Sequence, residues 1–282
     1  MQAKKRFGQN FLIDNNIIEK IVQSFSAAEN DLIIEIGPGR GALTKKLIKK
    51  GAALLAYEID TDMKEHLDPI ESDLVRIKYQ DILSADLSSD IKADNYKNIF
   101  IVGNLPYYIT TPIIEHITNQ DISFSSFTMM VQKEVADRFM AEPKTKDYGY
   151  FTMYLKHYYQ IKKICDVPRR CFNPAPNVDS AVIQLIPIKH KDPGDAEYFA
   201  FLKKCFSQKR KTLKNNLGQT DYNKIESLLC NNGFDEKTRA EAIPENLFYE
   251  LYNTIKDWHF IIKDYNNIST NRRIYGRYYI DV

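Results

Sequence analysis

Leu32-Ile33-Ile34-Glu35-Ile36-Gly37-Pro38-Gly39-Arg40-Gly41 is the stretch whose reading decides the fold. Its first five residues form an apolar run broken only by Glu35. So little alternation suits a strand covered on both faces, as in a parallel sheet. The glycines after it allow positive φ and close approach of the backbone to a ligand. A helical pattern follows from Ala42 to Lys50. Outward from this unit the same rhythm continues, with strands expected at Leu54–Ile59, Leu74–Tyr79, Ile99–Val102 and Phe127–Gln132. Met63–Leu67 and Glu134–Met140 read as helical, and two later strands, near Tyr158–Val167 and Ala181–Ile186, complete a seven-stranded sheet. Alternating strands and helices predict an α/β fold with a Rossmann-like sheet. Composition shifts after Pro187: the polar stretch Lys189–Gly194 reads as a linker. From Ala196 to about Lys256 the periodicity is helical, with Phe199, Leu202, Phe206, Ile225, Leu228 and Leu229 on apolar stripes. The expected organisation is therefore an α/β domain over 1–188, a small all-helical domain over 189–257 and an extension over 258–282 with no assigned role.

The chain has 282 residues, 44% of them hydrophobic and 27% charged, ordinary values for a globular protein with a real core. Lys and Arg (39) barely exceed Asp and Glu (37), so any nucleic-acid partner must be sought in local charge. Cys165, Cys171, Cys205 and Cys230 form no C-x-x-C pair, which argues against a zinc site or a disulfide framework. No metal is expected. No apolar run approaches the ~20 residues of a membrane span. The basic start, Met1-Gln2-Ala3-Lys4-Lys5-Arg6, is not followed by a signal-peptide core. No membrane association and a cytoplasmic location are expected.

The G-x-G-x-G spacing of Gly37, Gly39 and Gly41 differs from the G-x-G-x-x-G dinucleotide fingerprint, which weighs against hydride transfer. An acid on the first strand followed by G-x-G-x-G resembles class I methyltransferases, whose cofactor, S-adenosyl-L-methionine, lays its amino-acid end over the turn. Glu58 stands about twenty residues on, where such folds place a carboxylate for the ribose hydroxyls. Asp81, after the third strand, is placed to accept from an adenine amino group. Ile59 and Ile82 follow these acids and could sandwich the adenine ring. Ligands of open α/β sheets bind at the carboxyl ends of strands, so the set is coherent.

Asn104-Leu105-Pro106-Tyr107 follows the fourth strand. An adenine amine is a poor nucleophile because its lone pair is delocalised into the ring. Two acceptors aimed at its hydrogens can pull it toward a pyramidal geometry, and the Asn104 side-chain oxygen and the Leu105 carbonyl are suitable. Pro106 restricts the residue before it and so helps to fix that carbonyl. Tyr107 offers a ring on which an extruded base can stack.

Together, Lys5-Arg-Phe-Gly-Gln-Asn10-Phe-Leu12, the glycine turn, Asn104–Tyr107 and Phe172-Asn-Pro-Ala-Pro-Asn-Val-Asp-Ser180 resemble the ribosomal RNA adenine dimethyltransferases. The resemblance is to the bacterial small-subunit branch, whose loss gives kasugamycin resistance. It runs from Lys5 to about Tyr252, taking in Phe206–Leu213 and Arg239–Ile243. It implies N6,N6-dimethylation of two adjacent adenosines in the 3′-terminal hairpin loop of 16S rRNA, within an immature 30S subunit. It also implies cofactor contacts by Asn10, Leu12, Gly37, Glu58, Asp81 and Asn104, and a second stacking ring in Phe172. A monomer is expected. The segment 258–282 lies beyond the resemblance.

Local charge fits an RNA partner. Lys203, Lys204, Lys209, Arg210, Lys211 and Lys214 have no acid among them; Lys4, Lys5 and Arg6 form a second cluster, and Arg169 and Arg170 adjoin Phe172. Such patches neutralise phosphates. Three other readings stay open at this point. One is a dimethyltransferase of large-subunit rRNA, whose members tend to carry Ile where this chain has Leu105. Another is a non-catalytic assembly factor that keeps the fold. A DNA adenine methyltransferase would share the tetrapeptide but not the Phe7–Leu12 or Phe172–Ser180 motifs.

Overall fold

The computed structural model describes residues 10–91 and 96–256. Lys4, Lys5, Arg6 and the extension 258–282 lie outside the described residues. Contacts group the chain into two units: residues up to Met140 with Leu155–His190, and Ala141–Tyr154 with the residues from Lys191 on. The expected division at residue 188 differs from this grouping by the segment 141–154.

The first unit is built on strands β1 (Phe11–Leu12), β2 (Leu32–Ile36), β3 (Ala53–Tyr57), β4 (Val75–Lys78), β5 (Ile99–Asn104), β6 (Ser126–Gln132), β7 (Tyr159–Val167), β8 (Phe172–Asn173) and β9 (Ser180–Pro187). Seven of them form one sheet in the order β4-β3-β2-β5-β6-β9-β7. Every residue of β2 is buried, as its unbroken apolar pattern requires. β2 pairs in parallel with β3 on one side and β5 on the other. The direction of winding therefore reverses between β2 and β5, and a crevice opens beyond their carboxyl ends. The expected α/β class and seven-stranded sheet are observed.

The sheet is not parallel throughout. β9 runs antiparallel to both β6 and β7. Residues 168–179, which join β7 to β9, hold only a 3-10 turn and the short strand β8 and no crossover helix, as suits antiparallel neighbours. The reversal brings Ser180, the first residue of β9, to the end of the sheet where β5 and β6 finish.

A second pairing had no signal in the sequence. β1 and β8 form a two-stranded antiparallel ribbon, Phe11 opposite Asn173 and Leu12 opposite Phe172. The helix Asn15–Gln23 follows, with Asp14 as N-cap accepting from the Asn16 and Ile17 amides. Its Ile17, Ile18, Ile21 and Val22 form one buried face.

In the second unit the helices Asp195–Cys205, Leu213–Leu217 and Gln219–Asn231, with helical residues 245–256, enclose a core rich in aromatic rings. Tyr148 packs edge-on to Phe206, and Tyr154 lies 4.9 Å from Phe199 between ring centroids. These rings explain why 141–154 groups with this unit: its Lys- and Gly-containing sequence hides two aromatic anchors.

Candidate active site

A cleft of about 810 Å³, open to solvent, lies at the reversal point of the sheet. Asn10, Gly37, Gly39, Glu58, Ile59, Asp81, Ile82, Asn104, Leu105, Pro106 and Tyr107 all line it. Its lining mixes apolar side chains with a few polar groups, as small-ligand sites do.

The glycine turn forms one wall. Gly37, Gly39 and Gly41 all have positive φ. At Gly39 a Cβ would also stand 3.1 Å from the Phe11 ring, so close packing by β1 adds to the conformational demand. The Arg40 guanidinium lies 4.5 Å from the centroid of that same ring.

Glu58 sits one residue past β3 and is bound at both oxygens. Oε2 accepts from the Gly39 amide at 2.9 Å and Oε1 from the Asp60 amide at 2.8 Å. It thus fastens the glycine turn to the end of β3. Each carboxylate oxygen keeps acceptor capacity for a further donor. Burial pushes the Glu58 carboxyl above the usual carboxylate range, against the pull of these amide hydrogen bonds. Beneath the turn, Glu35 is only 1% exposed. Burial raises its pKa to about 8, the Glu58 charge adds to the rise, and the Thr44 hydroxyl opposes it from outside hydrogen-bond geometry. Its surroundings thus favour the protonated form of Glu35.

Asp81 lies beyond β4. Its Oδ1 accepts from the Leu83 amide at 2.9 Å, fixing the carboxylate at the start of a short 3-10 turn. Ile82 behind it is buried, whereas Ile59 is 44% exposed. Both line the cleft together with Glu58 and Asp81, so apolar and acidic groups meet on this part of its wall.

Across the cleft stands the turn after β5. The Asn104 Nδ2 donates to the Asn10 carbonyl at 2.9 Å. An amide whose nitrogen end is committed to a main-chain carbonyl has its oxygen to offer as acceptor. The Leu105 side chain is buried and its amide donates to the Met130 carbonyl at 3.3 Å. Among the described residues no donor reaches the Leu105 carbonyl. The Pro106 carbonyl accepts from the Ile109 amide and the Thr110 hydroxyl, which locks the turn onto the helix Thr110–Asn119. Tyr107 is partly buried, and its hydroxyl lies 2.5 Å from the Ser180 Oγ. Tyr108, at 62% exposure, lines the same cleft.

Not every residue singled out in the sequence reaches the cleft. Leu12 is buried in the core, so its side chain cannot meet a ligand. Phe172 is 3% exposed, packed in the same core, and not on the cleft wall. The expectation that it offers a second stacking face is not met in this conformation: its pairing with Leu12 across β1 and β8 turns it inward. Phe11, Tyr57, Gln80 and Tyr108 line the cleft and were not singled out. Phe11 falls inside a quoted motif, and Tyr108 continues the Asn104–Tyr107 tetrapeptide; Gln80 and Tyr57 merely precede the acids.

The basic residues divide. Arg169 and Arg170 are exposed on the first unit. In the second unit Lys204 pairs with Asp221 at 2.8 Å, Lys214 pairs with Glu236 at 2.9 Å, and Lys209 donates to the Lys146 carbonyl. Lys203 lies 5.4 Å from the Tyr150 ring centroid. Arg210 and Lys211 are exposed, in the turn before the helix Leu213–Leu217. The run is therefore less bare than its sequence suggests, because Asp221 and Glu236 fold back onto it. Among the described residues no cluster of His, Cys, Asp and Glu is disposed to hold a metal, and no helix is long and apolar enough to cross a membrane.

Replacing Glu58 with Ala removes a charge-assisted acceptor and frees the glycine turn. The expected result is a cofactor affinity weaker by about 10- to 100-fold, a charged hydrogen bond being worth about 1.5–3 kcal/mol. Calorimetric titration with S-adenosylmethionine measures it; unchanged affinity would remove Glu58 from the binding set.

The family model for the Ribosomal RNA adenine dimethylase matches residues 1–257. The chain is 46% identical over 255 residues to the Ribosomal RNA small subunit methyltransferase A of Mycoplasmopsis pulmonis, covering 89% of this chain and 98% of the relative. It is 40% identical over 272 residues to the protein of the same name from Lactobacillus johnsonii, covering 91% and 92%. Among solved structures, a dimethyladenosine transferase from Plasmodium falciparum superposes with a TM-score of 0.71 at 26% identity, over 87% of this chain and 98% of that one. The 23S rRNA methyltransferase ErmE shares the fold, with a TM-score of 0.67 at 23% identity over 88% and 100%.

Proposed function

The chain belongs to the ribosomal RNA adenine dimethylase family, and from that premise we propose which residues perform its reaction and which adenosines receive the methyl groups. The protein is an S-adenosylmethionine-dependent adenine dimethyltransferase of small-subunit ribosomal RNA. The proposed targets are two adjacent adenosines in the 3′-terminal hairpin loop of 16S rRNA, modified within an immature 30S subunit. A cytoplasmic monomer is proposed as the acting form.

The residues present fit the cofactor. The glycine turn, with positive φ at Gly37 and Gly39 on the cleft wall, suits its amino-acid end. Glu58 would take the ribose hydroxyls and Asp81 the adenine amino group, with Ile59 and Ile82 against the ring. Asn10 enters this set through its carbonyl, which holds Asn104, while a contact by Leu12 would be through its main chain. When bound, S-adenosylmethionine supplies an electrophilic methyl group on a sulfonium centre.

The chain's own work is to make the amine reactive and to aim it. In the first transfer the Asn104 oxygen and the Leu105 carbonyl would accept the two amino hydrogens and draw the nitrogen lone pair out of conjugation; in the second, the monomethylated amine has one hydrogen left for one of these acceptors. Each transfer forms an N–C bond as the C–S bond of the sulfonium breaks, and the amine gives up one proton to solvent. Pro106 fixes the turn that carries both acceptors. Tyr107 stacks on the extruded base, while Phe172 supports β1, and through it Asn10, from within the core. Catalysis of this kind is positioning and preorganised electrostatics. Arg169, Arg170, Arg210 and Lys211 are proposed phosphate contacts, together with Lys203, Lys204, Lys209 and Lys214 where RNA competes with their present partners. Lys4, Lys5 and Arg6 keep the same proposed role.

The observation that carries this reading is the Asn104 amide, oriented by the Asn10 carbonyl on a cleft that also holds Glu58 and Asp81. Mapping of N6,N6-dimethyladenosine in rRNA from cells with and without the protein tests it. Two adjacent modified adenosines near the 3′ end of 16S rRNA should be lost with the protein. Loss from large-subunit rRNA instead would overturn the choice of target.

A further inference from the structure

We infer that Ser180 is a positioning residue of the base site, holding the Tyr107 ring by its hydroxyl. This rests on the reading of Tyr107 as the plate for the target base. The Val178-Asp179-Ser180 sequence has no other use in the mechanism above. Ser180 is fully buried, and its Oγ lies 2.5 Å from the Tyr107 Oη. Either oxygen can donate, so the pair can keep its bond whichever way the protons point.

The anchor is rigid for reasons visible in the sheet. Ser180 stands in the ladder opposite Gln132 of β6 on one side and Val167 of β7 on the other. Just before it, the Asp179 carbonyl accepts from the Lys133 amide at 3.0 Å, and the Asp179 Oδ1 accepts from the Arg169 amide at 2.9 Å. The Ser180 main chain is thus held from both edges and from the preceding residue. Tyr107, by contrast, sits on a 3-10 turn between β5 and the helix Thr110–Asn119. β6 separates β5 from β9, so the phenol reaches over the end of β6 to its partner. The antiparallel direction of β9 makes this reach possible; a parallel strand would present its other end. A ring tethered at its far tip cannot swing about χ1, so the position of the ring, though not its rotation about the axis through the hydroxyl, is fixed before the base arrives.

A double-mutant cycle tests the tether. Tyr107→Phe keeps the ring and removes the bond; Ser180→Ala removes the partner. Each single variant should lower kcat/KM for immature 30S subunits by about tenfold, the worth of one preorganising hydrogen bond. The double variant should be no worse than either single, with S-adenosylmethionine affinity unchanged in all three. Additive losses in the cycle, or wild-type kinetics in Tyr107→Phe, would overturn the assignment. The Tyr107→Phe measurement stands alone if Ser180→Ala does not fold. Tyr107→Ala separates the two ideas. If it is inactive while Tyr107→Phe is wild-type-like, the tether falls and the stacking plate stands. If Tyr107→Ala itself turns over normally, the plate falls and the tether with it.

Discussion

Replacing Asn104 with Ala should reduce methyl transfer by about 10²- to 10³-fold, the scale set by removing one preorganised hydrogen-bonding group from a reacting centre. Cofactor binding should remain measurable. The side chain has two ends with separate duties. Its nitrogen is engaged by the Asn10 carbonyl at 2.9 Å, and its oxygen is the proposed acceptor for the substrate amine. Alanine removes both, so the Leu105 carbonyl alone faces the amino group and the lone pair stays conjugated. Asn104→Asp gives an informative comparison: it keeps an acceptor but sets a carboxylate against the Asn10 carbonyl, and an intermediate rate is expected. Single-turnover methylation of immature small subunits, with parallel calorimetry for S-adenosylmethionine, measures both quantities. Wild-type turnover in Asn104→Ala would remove the acceptor role.

The second large effect is expected at a residue that meets no ligand. Gly103 lies in β5 opposite Ile36. A Cβ there would stand 2.9 Å from the Ile36 carbonyl oxygen, 2.9 Å from the Leu105 Cδ2 and 3.1 Å from the Ile36 Cβ. The first of these contacts is with main chain and cannot yield by a rotamer change. Gly103→Ala should therefore destabilise the domain by about 1–3 kcal/mol, as overpacking of a filled interior does. It should also push β5 away from β2 at the point where the acceptor turn begins. Displacement of reacting groups by even 1 Å costs about 10²-fold in rate. Lower thermal stability with a loss of turnover of that order is expected, measured by calorimetric melting and by rate at saturating cofactor. A variant that melts like the wild type would show that the strands have room the distances deny.

The parts of this molecule that could be read from sequence are those in which side-chain type alone reports the environment. Leu32–Ile36 announces a strand buried on two faces, and the acids Glu58 and Asp81 fall after strands whose apolar residues mark them. The cleft wall could be located for the same reason, since strand ends and glycine turns are local signals. What escaped detection depends on the main chain or on distant partners. The Asn10 carbonyl acts through an atom common to all residues. The acid at Glu58 marks a ribose ligand by its place in the sequence, while its amide partners at Gly39 and Asp60 are set only by the fold. β9 has the apolar pattern of a buried strand whichever way it runs, so its direction was not legible. Phe172 carries a ring suited to stacking, yet its register opposite Leu12 turns the ring into the core. The basic run around Lys209 looks unopposed only until Asp221 and Glu236 return to it.

The ribbon of β1 and β8 sets the order in which this centre can be assembled. Its two strands are roughly 160 residues apart in the chain, so their pairing is a late, non-local event, and closing so long a loop carries an entropic cost. Asn10 is held at the edge of that ribbon. The pairing of β1 with Phe172 and Asn173 thus adds a late brace beside the carbonyl that orients Asn104. The turn that carries the reacting atoms is thus braced by a segment well downstream of it in the chain.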